Sequence, residues 1–388
     1  MDKNAFSKSL GDFEPLEKYP GQYCFVPSML PNKIDIDNEI AGLLAQANLE
    51  LGRLDTPVIG RQMATLFTTL ASLIQKSEAV FSSRIEGTKS TLSDILIEEL
   101  SPEGNPDEND AKEVLNNAKA LTEGSTLVYA GNEVDIKMLL HLHKILTKGV
   151  RGSDSRLEPG KLRSAQNWIV AAPLRKIEDA TYIPPKPEYV KAHLENLLTY
   201  MTTNKDSLLI KIALTHYKFE AIHPFADGNG RIGRLLIILY LLKFGALHAP
   251  LLSISSYIEK RKTEYYDLLL RVSTEGDYKP WLKFFLNAII TEAKAGRDRI
   301  DSIVNYRVTT LDAIEKRVSG KTIAAFELLF KEPIINVSNL AKKLGVSYVG
   351  AYSIIKRLEN EGILTKYATG KKKPRLYVCE SILRLLSK

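Results

Sequence analysis

Apolar residues recur at helical spacing along most of this chain. Leucine, isoleucine and alanine lie three and four positions apart, and alternating runs are few, which is typical of a mainly α protein. A loop is predicted over 101–110, where Pro, Gly and acidic residues cluster. The apolar pattern predicts helices over 35–53, 57–80, 111–122, 134–147, 188–202, 207–222 and 235–242.

The segment 160–187 interrupts the helical pattern. It contains Gln166-Asn-Trp-Ile-Val-Ala-Ala, then polar residues, then Tyr182-Ile-Pro-Pro, which suits a short β-hairpin closed by prolines. From the residues alone, this hairpin could simply cover the core.

The last segment, 321–388, resembles a winged helix-turn-helix. Residues 335–344 form a short amphipathic pattern, Gly345-Val-Ser is a turn with an N-cap, and 348–361 is a second helix that ends at Gly362. Two strands around a basic wing are predicted to follow. Many such modules contact proteins instead of DNA, and both interpretations stay open. The candidate DNA contacts are Lys356, Arg357, Lys371, Lys372 and Lys373.

Charge is distributed unevenly along the 388 residues. The net charge is +7, and 321–388 alone carries thirteen Lys and Arg against five Glu. Any interaction with nucleic acid is therefore expected at the C-terminal end. Length predicts several domains, with bounds 1–130, 131–290, a linker helix over 291–320, and 321–388.

Compartment and redox chemistry are also constrained. The start of the chain leads into no apolar segment, and the longest apolar run is far short of a membrane span, so a cytoplasmic protein without membrane contact is expected. Cys24 and Cys379 lie too far apart in sequence to suggest a disulfide framework or a metal site.

His141 and His143 are two positions apart on a predicted helix, hence on different faces and not in one metal coordination shell, and are expected to be ordinary histidines.

The segment from His223 to Arg234 combines residue types that suit a phosphate. Gly228 and Gly230 allow a turn whose N–H groups point into one concavity, and the helix that follows directs its N-terminus there. Arg231 and Arg234 are three positions apart, and guanidinium groups suit phosphate oxygens. Without partners the two arginines would repel each other, so a polyanion is the expected ligand.

Two further residues of this segment suggest chemistry. Asp227 could hold Mg²⁺ against phosphate oxygens, because hard cations prefer oxygen ligands. His223 is the nearby group able to take a proton near neutral pH. The segment therefore predicts a phosphate site beside a base.

The same twelve residues resemble the Fic family, whose motif is His-Pro-Phe-x-Asp/Glu-Gly-Asn-Gly-Arg-x-x-Arg, and every defined position is matched. The resemblance implies a Fic-type helical core with a β-hairpin flap that holds the target peptide. It also implies transfer of AMP from ATP to a protein Ser, Thr or Tyr, including self-modification, and relatives often form dimers.

The resemblance implies a role for each motif residue. His223 would be the general base and Asp227 would hold Mg²⁺. Arg231 and Arg234 would bind the β- and γ-phosphates of ATP, and Tyr265 could line the adenine pocket, although aromatic residues at its spacing are often core. The phosphate-binding turn would consist of Gly228, Asn229 and Gly230.

An inhibitory motif of the family, Ser/Thr-x-x-x-Glu-Gly/Asn, is matched by Ser82 to Gly87. Glu86 would pair with Arg234 and occupy the place of the γ-phosphate, with Ser82 helping to fix the helix. Two alternatives to autoinhibited AMP transfer stay open. One is a Fic enzyme that transfers another phosphate-containing group or removes AMP, and the other is a DNA-binding regulator whose Fic domain senses nucleotide.

Overall fold

Helices dominate the computed structural model, which describes residues 1–7, 9–59, 64–100, 108–150, 158–170, 176–367 and 375–386. The helices are α1 (Asn38–Ile59), α2 (Ala64–Ile85), α3 (Leu92–Leu100), α4 (Glu108–Tyr129), α5 (Ile136–Leu146), α6 (Pro187–Thr203), α7 (Leu208–Ile222), α8 (Asn229–Lys243), α9 (Ile254–Lys260), α10 (Lys262–Glu275), α11 (Tyr278–Ile314), α12 (Gly320–Leu329), α13 (Val337–Leu344), α14 (Tyr348–Asn360) and α15 (Glu380–Leu386). The strands are β1 (Gly11–Pro15), β2 (Tyr23–Pro27), β3 (Ile334–Ile335), β4 (Thr365–Tyr367) and β5 (Leu376–Val378).

The centre of the fold is the pair α7 and α8. Both helices are apolar on nearly all sides, and almost all of their residues are buried, as expected for helices that other helices surround. Helices α2 and α4 pack on α8, while α6 and α11 pack on α7. The predicted phosphate segment is the turn between α7 and α8, so rigid elements hold it at both ends.

The first two strands form an antiparallel hairpin that the helical pattern did not predict. Phe13 pairs with Phe25 across it, and their rings pack against Phe6 and Tyr182. Gly11 is required at its start, because a Cβ there would lie 2.3 Å from the carbonyl oxygen of Val26.

The segment from α12 to α15 contains these four helices and a three-stranded antiparallel sheet in the order β3-β5-β4. Ser347 caps α14 by accepting a hydrogen bond from the Gly350 N–H, and Gly345 ends α13 in the left-handed conformation. These bounds agree with the predicted helix-turn-helix to within two residues. The winged-helix assignment itself stays a prediction.

Several predicted bounds differ from the structure. The first helix extends to Ile59 and the second spans Ala64–Ile85, so the predicted break near residue 55 is wrong. Helix α11 is continuous for 37 residues through the predicted boundary at 290. The predicted hairpin is represented by one antiparallel bridge between Ile169 and Tyr182, and 171–175 lie outside the described residues. Over the described ranges, no helix is long and apolar enough to cross a membrane.

Candidate active site

His223 lies at the C-terminal cap of α7 in a left-handed backbone conformation, with φ 50° and ψ 61°. Its Nδ1 lies 3.2 Å from the carbonyl oxygen of Glu220. Because a carbonyl can only accept, Nδ1 carries the proton, and the lone pair is on Nε2. Burial first, and then the charge of Arg163, lower the pKa of His223 to about 4. The imidazole is therefore neutral at pH 7 and able to accept a proton at Nε2.

The turn between α7 and α8 is closed by Asn229 and Gly228. The Phe225 N–H donates to Asn229 Oδ1 at 2.8 Å, and Asn229 Nδ2 donates to the Phe225 carbonyl at 2.8 Å. Gly228 adopts φ 82°, which a side chain would disfavour. Asp227 Oδ1 accepts hydrogen bonds from the Gly228 N–H at 2.6 Å and from Arg231 Nη2 at 3.3 Å. The Asn229 side chain is thus committed to hydrogen bonds within the turn, which it braces.

Arg234 is buried, with 1% of its side chain exposed, and its guanidinium faces the end of α2. Nη2 donates to Glu86 Oε1 at 2.6 Å and to the Ser82 carbonyl at 2.9 Å, and Nε donates to Ser82 Oγ at 2.9 Å. Nη1 is buried and has no hydrogen-bond partner within the described part of the chain. One donor of the fork therefore remains for a ligand.

Glu86 reaches the N-terminus of α8. A Cβ on Gly230 would lie 2.3 Å from Glu86 Oε1 and 2.8 Å from Arg234 Nη1, so only glycine leaves room for the carboxylate there. Desolvation opposes ionisation of Glu86, but the charge and hydrogen bond of Arg234 outweigh it and lower the pKa of Glu86. The carboxylate is thus held as an anion at a helix N-terminus, where a phosphate would bind.

Arg231 is also paired, so repulsion between two unpaired arginines does not arise here, and the polyanion ligand stays a prediction. Its guanidinium forms an ion pair with Glu113 of α4, 118 residues away, and contacts Asp227. Desolvation raises the pKa of Glu113, Arg231 opposes this, and the Asp227 charge adds to it. Sequence reasoning missed Glu113, because one glutamate among many on an amphipathic helix carries no local signal.

Three residues outside the motif hold the carbonyl groups of the turn. Arg163 Nε donates to the His223 carbonyl at 2.8 Å, and Asn167 Nδ2 donates to the Phe225 carbonyl at 3.0 Å. His143 Nε2 lies 3.0 Å from the Asp227 carbonyl. Sequence reasoning gave His143 no part in the site, but its ring is buried against the turn. His141, on the other face, lies exposed beside Glu123.

Tyr265 is fully packed, with 1% of the residue exposed, and its hydroxyl lies 2.8 Å from His216 Nε2. The neighbouring Tyr266 keeps 39% of its surface exposed, and the Glu86 carboxylate is the main charge that raises its pKa, after desolvation. Of the two tyrosines, Tyr266 is therefore the exposed one and Tyr265 is buried. A role for Tyr265 at adenine stays a prediction.

Two of the candidate DNA contacts, Lys356 and Arg357, lie on α14. Lys356 pairs with Glu359 at 2.8 Å. Arg357 donates to the Arg317 carbonyl at 2.6 Å and lies 3.5 Å from Glu361. Lys371, Lys372 and Lys373 fall outside the described residues. The two described basic groups are therefore partly neutralised by Glu359 on α14 and by Glu361 at its C-terminal cap.

Metal and thiol chemistry have few candidates. Across the described ranges, no group of three or more His, Cys, Asp or Glu side chains could together hold a metal ion. Asp227 presents a single carboxylate to the turn, which is a donor set that suits Mg²⁺ when phosphates supply further oxygens. Cys24 and Cys379 are buried free thiols.

Comparison with known proteins identifies the family. Residues 133–241 match the model of the Fic/DOC family, and residues 41–126 match that of the Fic/DOC family N-terminal region. This chain belongs to the Fic/DOC family. The first match contains the motif turn with His143 and Arg163, and the second contains Ser82, Glu86 and Glu113.

Curated relatives share part of the chain. It is 28% identical over 199 residues to protein adenylyltransferase fic-1 of Caenorhabditis elegans, which covers 49% of this chain and 35% of the relative. It is 29% identical over 164 residues to protein adenylyltransferase Fic of Aedes aegypti, covering 41% and 28%. The chain thus spans about a third of the length of the curated relatives that it matches.

Solved structures share the fold. A Fic family protein from Desulfovibrio desulfuricans G20 aligns with a TM-score of 0.55 at 22% identity, over 89% of this chain and 97% of that one. Fic-1 from C. elegans aligns with a TM-score of 0.53 at 20% identity, over 68% and 74%. The expected Fic-type helical core is confirmed.

Proposed function

We propose that this protein is an adenylyltransferase that transfers AMP from ATP to a hydroxyl group of a protein, and that Glu86 inhibits it. One observation supports this most directly. A neutral histidine with its lone pair on Nε2 ends α7, and a buried arginine with an uncommitted donor lies on the first turns of α8, beside the phosphate-binding turn. The family relatives named adenylyltransferases support the same chemistry.

The proposed reaction uses these groups in a defined order. The acceptor hydroxyl gives its proton to His223 Nε2 while its oxygen attacks the α-phosphorus of ATP. A new P–O bond forms, the bond between the α-phosphorus and the bridging oxygen breaks, and pyrophosphate leaves. The N–H groups of the turn and the guanidinium groups of Arg231 and Arg234 bind the phosphates. Asp227 would hold Mg²⁺, which neutralises phosphate charge when bound.

Glu86 is proposed to prevent this arrangement in the resting protein. Its carboxylate lies against Arg234 and the start of α8, where the terminal phosphate would need the same donors. A nucleotide that shares the site with Glu86 would therefore bind with its phosphates displaced and its α-phosphorus badly oriented for attack.

Labelled ATP tests both parts of the proposal. Purified wild type, Glu86→Gly and His223→Ala are incubated with ATP labelled at the α- or the γ-phosphate, and label on the protein itself is measured. We expect α-label in Glu86→Gly, little in wild type and none in His223→Ala. Label from the γ-position alone would indicate phosphate transfer. Absence of both would favour a nucleotide sensor.

For residues 321–388 we propose a winged-helix module that binds DNA phosphates. The order of two helices, a capped turn and a short sheet supports it. The pairs Lys356–Glu359 and Arg357–Glu361 reduce the available charge, so binding is expected to be weak and salt-dependent. Electrophoretic shifts at low salt test this, and their absence would leave a protein contact, such as a homodimer, as the module's role.

Cytoplasmic location likewise stays a prediction, which cell fractionation tests.

A further inference from the structure

Arg163 is a buried cation whose hydrogen bonds all go to the main chain. Only 5% of the residue is exposed. Its guanidinium donates to the carbonyl oxygens of His223, at 2.8 Å, and of Pro185, Ile222 and Ala165. Within the described residues it forms no ion pair with a carboxylate. A buried charge without a counter-ion is costly, and here four carbonyl oxygens compensate it. The main-chain segments that carry these carbonyl groups are therefore the ones that Arg163 positions.

Two of these carbonyls belong to the turn that bears the base. His223 has φ 50°, and it is the only residue other than glycine in the described ranges with positive φ. Left-handed backbone is unfavourable for a residue with a side chain and persists where its surroundings enforce it. The Arg163 guanidinium donates hydrogen bonds to the carbonyl oxygens of residues 222 and 223, and the Arg163 N–H donates to the Pro224 carbonyl at 3.0 Å. Three successive peptide groups are thus fixed by one residue.

The other two carbonyls belong to the segments that flank the Ile169–Tyr182 bridge. Arg163 reaches the Pro185 carbonyl on the far side of the bridge and the Ala165 carbonyl on the near side. Gln166 Nε2 donates to the Pro184 carbonyl at 2.8 Å and strengthens the same junction. The hairpin segment and the base-bearing turn are therefore joined through one guanidinium.

We infer that Arg163 is a positioning residue for His223: it enforces the left-handed turn that aims the imidazole and couples that turn to the hairpin segment. This inference rests on the proposed role of His223 as general base. It explains why an arginine, with its planar set of several donors, occupies this place, since a lysine could not reach four carbonyls in fixed directions.

The charge of Arg163 has a second effect on the base. After burial, it is the largest influence that lowers the pKa of His223. The other groups that act on this imidazole raise its pKa, namely the Glu220 carbonyl and the carboxylates of Glu86 and Asp227. Removal of the Arg163 charge should therefore raise the pKa of His223, so that the base becomes protonated at a higher pH.

The test uses the Glu86→Gly protein as parent and compares Arg163→Gln with Arg163→Lys. The matched control is Arg299→Gln, which removes another buried arginine, on α11, outside the motif turn. Thermal midpoints, the rate constant of α-label incorporation, half-saturating ATP and the pH profile from 5 to 9 are measured for each. Failure of the parent to incorporate α-label would contradict the proposed function itself.

We expect both Arg163 variants to lose rate by on the order of 10- to 100-fold at saturating ATP, because the imidazole is misplaced, with half-saturating ATP little changed. The acid limb of the pH profile should move to higher pH in Arg163→Gln and stay in place in Arg163→Lys, which keeps the charge. Rates equal to the parent in Arg163→Lys, or losses no greater than in Arg299→Gln without a shift in the profile, would overturn the inference. If Arg163→Gln does not fold, the rate constant of Arg163→Lys alone tests the inference: a loss supports it, and a rate equal to the parent overturns it.

Discussion

His143 Nε2 donates a hydrogen bond of 3.0 Å to the carbonyl oxygen of Asp227, 84 residues away in sequence. The other ring nitrogen, Nδ1, accepts a hydrogen bond from the Gly160 N–H, also at 3.0 Å, and the ring stacks on Phe225 with centroids 3.9 Å apart. A donor and an acceptor on opposite nitrogens require the neutral tautomer with the proton on Nε2. Burial agrees with this, since it lowers the pKa of His143 to about 4.

We predict that His143→Ala weakens nucleotide use. The Asp227 carbonyl would lose its donor, the Phe225 ring would lose its stacking partner, and the turn would become less ordered. We expect the half-saturating concentrations of ATP and Mg²⁺ to rise by about 10- to 100-fold, the range seen when outer partners of metal-binding groups are removed. The measurement is α-label incorporation in the Glu86→Gly protein at varied ATP and Mg²⁺.

The matched control is His141→Ala, two positions away on the same helix, where the side chain is exposed beside Glu123. It should leave both concentrations unchanged. Equal behaviour of the two variants would show that His143 has no special part in ordering the turn.

We predict that Ser82→Ala releases the inhibition in part. Arg234 Nε would lose one charge-assisted hydrogen bond, worth about 1.5–3 kcal/mol, but Glu86 and the Ser82 carbonyl would remain in place. Incorporation of α-label should exceed that of wild type and stay below that of Glu86→Gly. Ser83→Ala is the control, because Ser83 is equally buried and its hydroxyl is near Asn117 instead. If both serine variants label alike, the Ser82 hydroxyl does not contribute to inhibition.

We predict a pH-dependent stability that traces to Glu78. This carboxyl group is buried on α2 and accepts hydrogen bonds from Ser253 Oγ, from the Ser255 N–H and from Ser255 Oγ, at the start of α9. Burial raises its pKa from 4.5 to about 7. Because the folded state binds this proton more tightly than the unfolded state, stability should be lost as the pH rises from about 4.5 to about 7, by about 1.4 kcal/mol per pH unit.

Glu78→Gln removes that titration. Its free energy of unfolding, relative to wild type, should therefore increase between pH 5 and pH 7 and then level off, as urea unfolding at several pH values would measure. Glu133→Gln, at an exposed pair with Lys243, should follow wild type at every pH. A constant difference between Glu78→Gln and wild type across this range would contradict the assignment.

We predict that Tyr265→Phe affects stability and Tyr266→Ala affects nucleotide binding. Loss of the Tyr265 hydroxyl leaves His216 Nε2 without its partner and should lower the free energy of unfolding by about 1 kcal/mol, while the half-saturating concentration of ATP stays unchanged.

Tyr266 is the exposed ring near Glu86, so its removal should raise the half-saturating concentration of ATP. A raised value in Tyr265→Phe would instead support the adenine role that the family resemblance implies for Tyr265.

Local features of the structure could be predicted from the sequence. The helix that begins at Tyr348 is capped by the Ser347 hydroxyl and is followed by Gly362 in the left-handed conformation, and both signals act within a few residues. The close approach of Glu86 to Arg234 was expected from a motif, and the structure has it at 2.6 Å.

Contacts between distant segments could not be predicted in the same way. Glu113 and Arg231 are 118 residues apart, and Arg163 reaches His223 across 60 residues, with nothing in either local pattern to pair them. The hairpin of β1 and β2 was missed because each strand has only five residues and ends in proline. Such pairings depend on how helices pack, which periodicity alone does not determine.

The position of Glu86 relative to α2 has a dynamic consequence. Helix α2 ends at Ile85, and Glu86 and Gly87 form a turn directly after it, with Gly87 at φ 110°, whereas Ser82 lies within the helix. Helix ends fray at little cost, so opening of the turn formed by Glu86 and Gly87 would withdraw the carboxylate while the helix up to Ile85, including Ser82, stays docked. Hydrogen exchange should therefore be fast at the amides of Glu86 and Gly87 and slow at that of Ser82, with ATP accelerating only the former pair.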